Sequence, residues 1–393
     1  MHILEITYFD GYLEPFLWRF FKLMQKRTII VAGHICLDIT PHLVQNGLIE
    51  EVFSPGKLLS LQGASLTAGG VAGNTGLALK ALGADVCIQA LAGTDAFGKA
   101  LEDILLNQGL IGLRFVSEQQ TSFTIVIQVE GYDRIFLHNS GVNDSFTSDQ
   151  VLYDHIKPGD IFHFGYPTIM KEMRKNGGEE MLRMFGEVKK RGGITSLDLT
   201  LPDADSESGR CDWISILRRV IPLVDVFTPS YEEILFMLDR NTYNNFRKKP
   251  FIHDPLENLE LETVHQLSNT LIEWGAAMVL LKCGFKGIFL QTASSIRMKQ
   301  LNLKHLHSSD WAVLKLFCPG FKPSRIVSTT GAGDSAIAGF LLSIHREKEP
   351  QDALRIAAAT GARSLGARDS FSSIGTFSDV ESAVLALQRS DIG

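Results

Sequence analysis

The sequence predicts an α/β fold: a three-layer α/β/α body built on a mostly parallel sheet, with a small β-sheet lid attached to it. Two observations lead to this prediction. Short apolar runs bounded by Gly and Asp alternate with longer segments of helical period, which is typical of βα units stacked on a parallel sheet. Residues 37–66 and 121–138 break this alternation with β-forming and turn residues, and neither segment has enough apolar side chains for a core of its own.

Composition limits the possible functions before any motif is considered. The chain has 393 residues, 45% of them hydrophobic and 21% charged, which is enough for a large core. A net charge of −6 offers no basic field to nucleic acid, so we expect a small-molecule partner. The cysteines are widely spaced without a Cys-x-x-Cys pair, and no run of about 18 apolar residues could span a membrane. A cytoplasmic protein is therefore expected.

The regular elements of the body can be placed in chain order. A buried first strand is predicted at Thr28–Gly33, followed by strands at Val86–Leu91, Asp160–Phe164, Ile194–Asp198, Val224–Thr228 and Ala277–Lys282. Helices are predicted at Val71–Leu82, Phe97–Gln108, Glu179–Arg191, Ser230–Leu238, Thr263–Trp274, Ala336–His345 and Asp352–Leu365. The polar segment 239–260 is expected to be a surface loop, and residues 292–322 a strand-rich excursion.

The remaining segments define the lid and the domain limits. Residues 121–128 and 134–138 alternate apolar and polar around Gly131-Tyr132-Asp133, which indicates an antiparallel hairpin. We expect it to join residues 37–66 in one small sheet. Residues 1–27 form an N-terminal extension that makes a poor signal peptide, since acidic residues interrupt it and no small-residue cleavage site follows. Residues 28–393 are expected to form one domain.

A glycine cluster from Gly93 to Ala100 has the spacing of a Walker A phosphate loop. Ala100 offers no hydroxyl to magnesium, and Asp95 would direct a negative charge at the phosphate. We therefore interpret it as a turn between a strand and a helix.

A second cluster, Gly331-Ala332-Gly333-Asp334, fits the spacing of a dinucleotide-binding turn, but no strand ending in an acidic residue follows about 20 positions later. Stacked amides of Gly331, Ala332 and Gly333 at a helix N-terminus would instead form an anion hole. Asp334 beside them could accept a proton from an attacking hydroxyl. An N-cap aspartate after a flexible turn is the alternative.

The third cluster contains Gly69, Gly70 and Asn74 just before a predicted helix. The glycines would allow the backbone to approach a polyol closely, and the Asn amide can both donate to and accept from neighbouring hydroxyls. An ordinary turn with an Asn cap is the alternative for this cluster alone.

Taken in order, these motifs resemble the ribokinase-like, or PfkB, family of carbohydrate kinases. One signature runs from Gly69-Gly70-Val-Ala-Gly-Asn74 through Gly93-x-Asp95-x-x-Gly98, and the other is Ser328-Thr-Thr-Gly-Ala-Gly-Asp334-Ser-Ala-Ile-Ala-Gly339. The segments Gly33-His-Ile-Cys-Leu-Asp38 and Thr228-Pro-Ser-Tyr-Glu-Glu233 also fall where the family has counterparts. The resemblance thus covers residues 28–390 approximately.

The resemblance implies a kinase that transfers the γ-phosphoryl group of ATP, with Mg²⁺, to a hydroxyl of a sugar or sugar-like polyol. It implies that Asp334 is the general base and that the amides of Gly331, Ala332 and Gly333 stabilise charge on the phosphate. A small lid sheet with one face over the substrate leaves its other face exposed, with Val126, Ile135 and Leu137 as candidates for it, so we expect a homodimer joined through residues 37–66 and 121–138, as in several members of the family. The other implied site residues are Asp38, Gly69, Gly70 and Asn74 for the sugar, Glu233 for magnesium through water, and Lys282, Gly284 and Gly287 along the nucleotide.

The sequence departs from the family pattern at two positions. Ser230 replaces an Asn that often precedes the family's glutamate, although Glu233 itself is kept. Ser328 stands where the family often has an Asp near a monovalent-cation site, so we expect little activation by potassium. Simpler roles are a strand-end turn for Asp38, an exposed helical carboxylate for Glu233 and a solvated strand end for Lys282.

Two rival functions stay open at this point. A nucleoside kinase on the same fold would present a lid aromatic to the base, and Phe123, Tyr132 and Phe136 are the candidates. A non-catalytic sugar- or nucleotide-sensing protein is the other rival, against which Asp334 beside Gly-Ala-Gly argues. No Arg or Lys adjoins Asp38 or Asn74 in the sequence, which favours a free sugar or a sugar acid over a phosphorylated substrate.

The N-terminal extension gives a first test, because Met24 stands just before the predicted first strand. A chain starting at Met24 should fold and turn over like the full chain. Melting curves and turnover of the two chains check this. A fall in melting temperature of more than about 5 °C, of order 1 kcal/mol for a chain of this length, would mean that residues 1–23 are structural.

Overall fold

The computed structural model describes residues 29–44, 52–129, 134–247, 259–301 and 310–390. The N-terminal extension and the predicted turn at 131–133 lie outside these ranges, so the expectations about them stay predictions. Among the described residues, no helix is both long and apolar enough to cross a membrane.

The described residues contain a large sheet and a small sheet. In chain order the strands are β1 (Ile29–Gly33), β2 (Cys36–Leu43), β3 (Leu61–Gly69), β4 (Val86–Gly93), β5 (Leu113–Val116), β6 (Phe123–Ile127), β7 (Ile135–Asn139), β8 (Ile161–Gly165), β9 (Ile194–Asp198), β10 (Val226–Phe227), β11 (Met278–Lys282), β12 (Gly287–Thr292) and β13 (Lys315–Pro319). The large sheet has the order β13-β12-β11-β10-β9-β8-β1-β4-β5. Its strand pairs are parallel except β11–β12 and β12–β13, which confirms the predicted mostly parallel sheet.

Helices cover both faces of the large sheet. They are α1 (Gly70–Ala81), α2 (Ala96–Asn107), α3 (Lys171–Arg174), α4 (Glu179–Lys190), α5 (Trp213–Val220), α6 (Tyr231–Leu238), α7 (Arg240–Arg247), α8 (Leu261–Glu273), α9 (Ser295–Met298), α10 (Ala332–His345), α11 (Pro350–Ser364) and α12 (Phe377–Ser390). Because successive strand residues point to opposite faces, Ile29 and Val31 of β1 join the core with α1, α10 and α11. Ile30 and Ala32 join the core with α4, α5 and α6. The predicted three layers are confirmed.

The small sheet has the order β3-β2-β6-β7. The predicted hairpin is confirmed, since β6 and β7 pair antiparallel, and β2 connects it to β3. The chain enters β2 two residues after β1 ends at Gly33, and it passes from β3 directly into α1 at Gly70. The small sheet therefore stands directly over the carboxyl ends of the central strands.

Three sequence predictions need correction. The strand expected at Val224–Thr228 spans only Val226–Phe227 (β10), because Val224 N–H bonds back to Ile221 in a turn, although Asp225 and Thr228 still donate to carbonyls of β9. Part of the segment expected to be a loop forms α7, whose polar sequence hid its helical period. The helix expected at Ala336–His345 starts four residues earlier, because Gly331 adopts a left-handed φ of 73° and is itself the N-cap.

The Walker-like spacing at Gly93 is a turn, as the sequence analysis concluded. Asp95 is the N-cap of α2 and accepts a hydrogen bond from the backbone N–H of Gly98 at 2.9 Å. Its carboxylate also accepts bonds from the backbone N–H of Thr121 at 2.8 Å and from the Thr121 hydroxyl at 2.7 Å. Asp95 thus ties α2 to the segment that precedes β6, and its carboxylate is occupied by these bonds.

Candidate functional site

A cavity of about 920 Å³ lies between the small sheet and the carboxyl edge of the large sheet. In parallel α/β sheets this edge is where ligands bind, because strand ends and helix N-termini meet there. Most of the residues predicted for the site line this cavity: Asp38, Gly70, Asn74, Glu233, Lys282, Gly284, Gly331, Ala332, Gly333 and Asp334. Gly69 and Gly287 were also predicted for the site but do not line the cavity.

Gly69 and Gly287 instead allow close packing between paired strands. A Cβ at Gly287, where φ is 125°, would collide with the carbonyl of Cys318 on the paired strand β13. A Cβ at Gly69 would collide with the carboxylate of Asp38 on the paired strand β2. Both glycines therefore allow a close approach that any side chain would block.

Asp334 lies in the first turn of α10 and is buried, with only 4% of its surface exposed. Its Oδ2 accepts a bond from the Asn74 amide nitrogen at 3.1 Å, and its Oδ1 accepts one from the Thr75 hydroxyl at 3.2 Å. The Tyr166 hydroxyl donates to both oxygens, at 2.9 and 2.8 Å. Burial raises the pKa of Asp334, although the positive charge of Lys282 and these donors oppose the rise.

The position of Asp334 differs from the alternative of an N-cap aspartate. Gly331 is the N-cap, and a Cβ at Gly331 would collide with Ser370. The carboxylate of Asp334 receives its hydrogen bonds from α1 and from Tyr166 rather than from the amides of its own helix. Gly331, Ala332 and Gly333 line the cavity, and the Ala332 N–H lies 3.5 Å from the Thr329 carbonyl oxygen.

Asn74 is held on both sides of its amide group. Its nitrogen donates to Asp334, and its oxygen accepts a bond from the Ser370 hydroxyl at 2.9 Å. Asn74 lies inside α1, so it is no helix cap, and only 6% of it is exposed. The amide orientation is thereby fixed.

Asp198 and Lys282 form an ion pair at the same edge. They are the last residues of β9 and β11, on either side of β10, and Lys282 Nζ donates to Asp198 Oδ1 at 2.7 Å. Burial raises the pKa of Asp198, and Lys282 opposes the rise while Glu233 and Asp334 add to it. Burial lowers the pKa of Lys282, but Asp198 and Glu233 outweigh it, so the ammonium stays charged. Lys282 is thus no solvated strand end.

Glu233 lies at the start of α6 and lines the cavity. It forms a capping box with Ser230: the backbone N–H of Ser230 donates to Glu233 Oε2 at 2.7 Å, and the backbone N–H of Glu233 donates to the Ser230 hydroxyl at 3.2 Å. This departure from the family's Asn keeps the carboxylate in place, because Ser is an equally good helix cap.

Asp38 lies at the other end of the cavity, on β2, and is 8% exposed. The Cys36 thiol donates to its Oδ1 at 3.1 Å. Burial raises the pKa of Asp38 to about 6, whereas hydrogen bonds from Cys36 and Thr124 oppose the rise. Above that pH the cavity therefore presents an ionised acceptor here, and below it a neutral acid.

A chain of hydrogen bonds connects Asp38 to two histidines, and its direction can be worked out. The Cys36 thiol donates to Asp38, and the Thr124 hydroxyl directs its single hydrogen at Cys36 Sγ, 3.5 Å away, and at the Asp38 carboxylate. Thr124 has no second hydrogen, so the 3.0 Å bond at its oxygen must come from His138 Nδ1. In a neutral His138, Nε2 is then an acceptor, and His34 Nε2 donates to it at 3.2 Å.

The hydrogen bonds of Ser122 independently indicate that His34 carries its proton on Nε2. Its hydroxyl donates to the carbonyl of Asn139 at 2.7 Å, so its oxygen can only accept from His34 Nε2 at 3.4 Å. Burial, followed by the neighbouring His138, lowers the pKa of His34 well below its usual range, so the ring is neutral. His34 Nδ1 is left as a buried acceptor without a hydrogen-bond partner among the described residues.

Several residues of the cavity wall were not predicted from the sequence. Asp198 ends a predicted strand and His34 lies in the segment Gly33–Asp38, so both carried a signal in the sequence, whereas Tyr166 carried none. Arg134 and Arg174 also line the cavity. Basic residues are therefore present in the cavity wall although none adjoins Asp38 in the sequence. Arg134 donates to the Thr330 hydroxyl, next to Gly331, and Arg174 forms an ion pair with Glu207 at 3.3 Å.

Comparison with known proteins identifies the family. Residues 27–374 match the family model described as pfkB family carbohydrate kinase. The chain is 21% identical over 353 residues to a ribokinase of Haemophilus influenzae, covering 89% of this chain and 96% of that one. It is 23% identical over 369 residues to fructokinase-1 of Zea mays, covering 90% and 97% of the two chains. The chain belongs to the pfkB family of carbohydrate kinases, and it is a phosphotransferase with an alcohol group as acceptor.

Solved structures agree on the fold. A putative ribokinase II from E. coli, in complex with ATP and Mg²⁺, superposes with a TM-score of 0.65 at 18% identity, covering 92% of this chain and 99% of that one. A nucleoside kinase of Methanocaldococcus jannaschii superposes with a TM-score of 0.60 at 18% identity, with the same coverage of 92% and 99%. The predicted ribokinase-like fold is confirmed.

The close approach at Gly69 gives a test of the site's packing. Gly69→Ala should lower the free energy of unfolding by about 1–3 kcal/mol, the usual cost of overpacking, because the new Cβ collides with the Asp38 carboxylate. Chemical denaturation measures this. Gly186→Ala in α4 is the control: nothing lies within 4 Å of its new Cβ, so a gain of up to about 1 kcal/mol is expected from helix propensity. Equal stability of Gly69→Ala and wild type would contradict the packing argument.

Proposed function

We propose that this protein is an ATP-dependent kinase that transfers the γ-phosphoryl group directly to a hydroxyl of a sugar or sugar-like polyol, with Asp334 as general base. One observation supports this above all others: a buried carboxylate whose pKa is raised stands in the first turn of α10, beside the glycine turn 331–333. A base in this position reaches a hydroxyl directed at a phosphoryl group held by those amides.

The nucleotide end of the cavity is proposed to contain Gly284, Lys282 and the glycine turn. Helix N-terminal amides favour an anion, and Lys282 supplies a fixed positive charge nearby. We propose that Gly331, Ala332 and Gly333 stabilise charge on the transferring group. Phosphoryl transfer asks for positioning and electrostatics more than for covalent help from side chains, which suits this arrangement.

Glu233 is the residue we propose for magnesium. Magnesium usually keeps several waters and takes one or two carboxylates together with substrate phosphates. Glu233 suits this, since it lines the cavity and one of its oxygens is fixed by the Ser230 backbone. The ion would neutralise charge on the phosphates. Potassium activation is expected to be small, because Ser328 supplies no carboxylate.

The sugar end is proposed to include Asp38 and the polar side chains beside it. Thr124 pairs with both Asp38 and His138 across neighbouring strands, so the three side chains point to one face of the small sheet, toward the cavity. An ionised carboxylate and an unpartnered histidine nitrogen are acceptors for hydroxyl protons, which suits a polyol. Asp144, Asp203 and Glu207 line the same cavity as Arg134 and Arg174, and Glu207 pairs with Arg174, so a neutral sugar or a sugar acid stays our proposal.

A nucleoside kinase is the second candidate, supported by Phe136. This side chain lines the cavity and is 50% exposed, as a ring that stacks on a base would be. Phe123 instead packs edge-on against Phe97 of α2, with ring centroids 5.2 Å apart. Thermal shifts and ADP release measured over sugars, sugar acids and nucleosides separate the candidates, since a nucleoside kinase would respond to nucleosides alone.

Asp334→Asn tests the proposed base. It keeps the shape of the side chain but cannot take the proton, so turnover should fall by about 10²–10⁴. ATP affinity should persist or rise slightly, because a negative charge near the γ-phosphate is removed. Sugar-dependent ADP release and the unfolding midpoint are measured on the same preparation.

The matched control is Asp352→Asn, which changes an acidic residue in the first turn of α11. It should leave turnover unchanged. A folded Asp334→Asn protein with turnover near wild type would remove the catalytic assignment and favour a sensing protein.

We propose a homodimer that forms through the outer face of the small sheet. Leu66, Ile39, Ile125 and Leu137 are directly paired across the four strands, so they form one apolar row. Leu66 and Leu137 are 50% and 51% exposed. Exposed apolar rows of this kind are typical of protein interfaces. Val126, expected on this face, is buried instead, because it alternates with Ile125.

Leu66→Lys combined with Leu137→Lys should convert the dimer to a monomer, since two desolvated charges would face each other across the interface. Light scattering at micromolar concentration measures the mass. Ile296→Lys, 74% exposed on α9, is the control that should leave the mass unchanged. A monomeric wild type at that concentration would contradict the proposal.

A cytoplasmic location is also proposed, supported by five cysteines that are all free.

A further inference from the structure

Tyr166 stands in an unusual conformation directly after β8. Its φ is 65° and its ψ is 35°, a left-handed backbone that bulky residues seldom adopt. This backbone turns the ring into the cavity wall, where the hydroxyl reaches Asp334 and the ring centroid lies 6.1 Å from that of His34. The strain indicates that the side chain is needed at this place.

The hydrogen bonds around Asp334 can be counted. A carboxylate has two oxygens with about four acceptor positions in all. Oδ1 accepts from Thr75 and Tyr166, and Oδ2 accepts from Asn74 and Tyr166. Three hydrogens thus reach the carboxylate, and the single Tyr166 hydrogen, shared between the two oxygens, lies over the remaining acceptor position of each.

Only one of these donors can give way easily. Thr75 is fully buried in α1, and Asn74 is fixed by Ser370 on its other side. The Tyr166 hydroxyl shares a single hydrogen between both oxygens, so it can retain one bond and release the other oxygen. The released position faces the cavity, because Tyr166 itself lines it.

We propose that the Tyr166 hydroxyl occupies the acceptor alcohol's place on Asp334, and withholds the base from water until the alcohol displaces it from one carboxylate oxygen. This inference rests on the proposed function. When the alcohol binds, its hydroxyl donates to the released oxygen. Its proton passes to Asp334 as its oxygen bonds to the γ-phosphorus, and the bond from that phosphorus to the bridging oxygen breaks, leaving ADP. Tyr166 keeps its own proton and acts as a positioning residue.

Water in the alcohol's place would give the corresponding side reaction, hydrolysis of ATP to ADP and phosphate. Water is smaller and mobile, and it makes fewer contacts with the cavity wall than a polyol does. It therefore has less binding energy with which to displace a charge-assisted hydrogen bond. The Tyr166 hydroxyl thus favours the alcohol over water.

Tyr166→Phe removes the hydroxyl and keeps the ring. Sugar-free ATP hydrolysis should rise about tenfold, the worth of one hydrogen bond to a charged group. The acid limb of that hydrolysis should also move to higher pH, because a lost donor destabilises the carboxylate and raises the pKa of Asp334. The charged groups that also act on this pair are Lys282 from β11, Asp198 from β9, Asp38 from β2 and Glu233 from α6, and none of them changes in the variant.

Two further variants make the result specific. Tyr153→Phe is the matched control: its hydroxyl bonds Ser148 outside the cavity, so it should lose similar stability without gaining hydrolysis. Asp334→Asn combined with Tyr166→Phe should abolish the gain, because the base is absent. If Tyr166→Phe does not fold, Tyr166→Asn, which suits the left-handed backbone, is measured in its place with the same expectation.

Hydrolysis in Tyr166→Phe within twofold of wild type, or an unmoved acid limb, would overturn the inference. Because sugar-free hydrolysis needs no acceptor alcohol, the test is decided separately from the proposed function. A wild type that phosphorylates none of the sugars, sugar acids and nucleosides offered would count against the proposed function alone.

Discussion

A carboxylate buried at the start of α10 is the constraint on which the site depends. A buried charge without partners costs several kcal/mol, so Asp334 requires donors, and these come from α1 and from the residue after β8. The requirement fixes how α1 lies against α10 and imposes a left-handed backbone on Tyr166. The helices and strands of both halves of the chain are held together at this point.

The buried residues around the cavity carry more carboxylates than cations. Asp38, Asp198 and Asp334 are all buried, and Lys282 is the cation that acts on the last two. Burial raises the pKa values of these carboxyls, and repulsion from Asp334 adds to the rise at Asp38 and Asp198, which keeps them able to take up a proton. Lys282 remains charged because two carboxylates lie near it.

The pleat of the small sheet gives it two distinct surfaces. Asp38, Thr124 and His138 share one face with the cavity, while Leu66, Ile39 and Leu137 share the other. One residue of register separates the two rows, so a single slip would exchange them. The Asp38–Thr124 pairing therefore matters for the cavity and for the outer surface at once.

The sequence by itself determined the fold class, the family and the glycine-rich segments near the cavity, because alternation of βα units and motif order are local properties of the chain. It also indicated Asp38, Glu233, Lys282 and Asp334. Only the tertiary structure decided that Tyr166, Asp198 and His34 belong to the same cavity, because strands distant in sequence end at one edge of the sheet. It also decided that Gly69 leaves room for the Asp38 carboxylate on the paired strand. Such a close approach depends on strand register, which no short motif records.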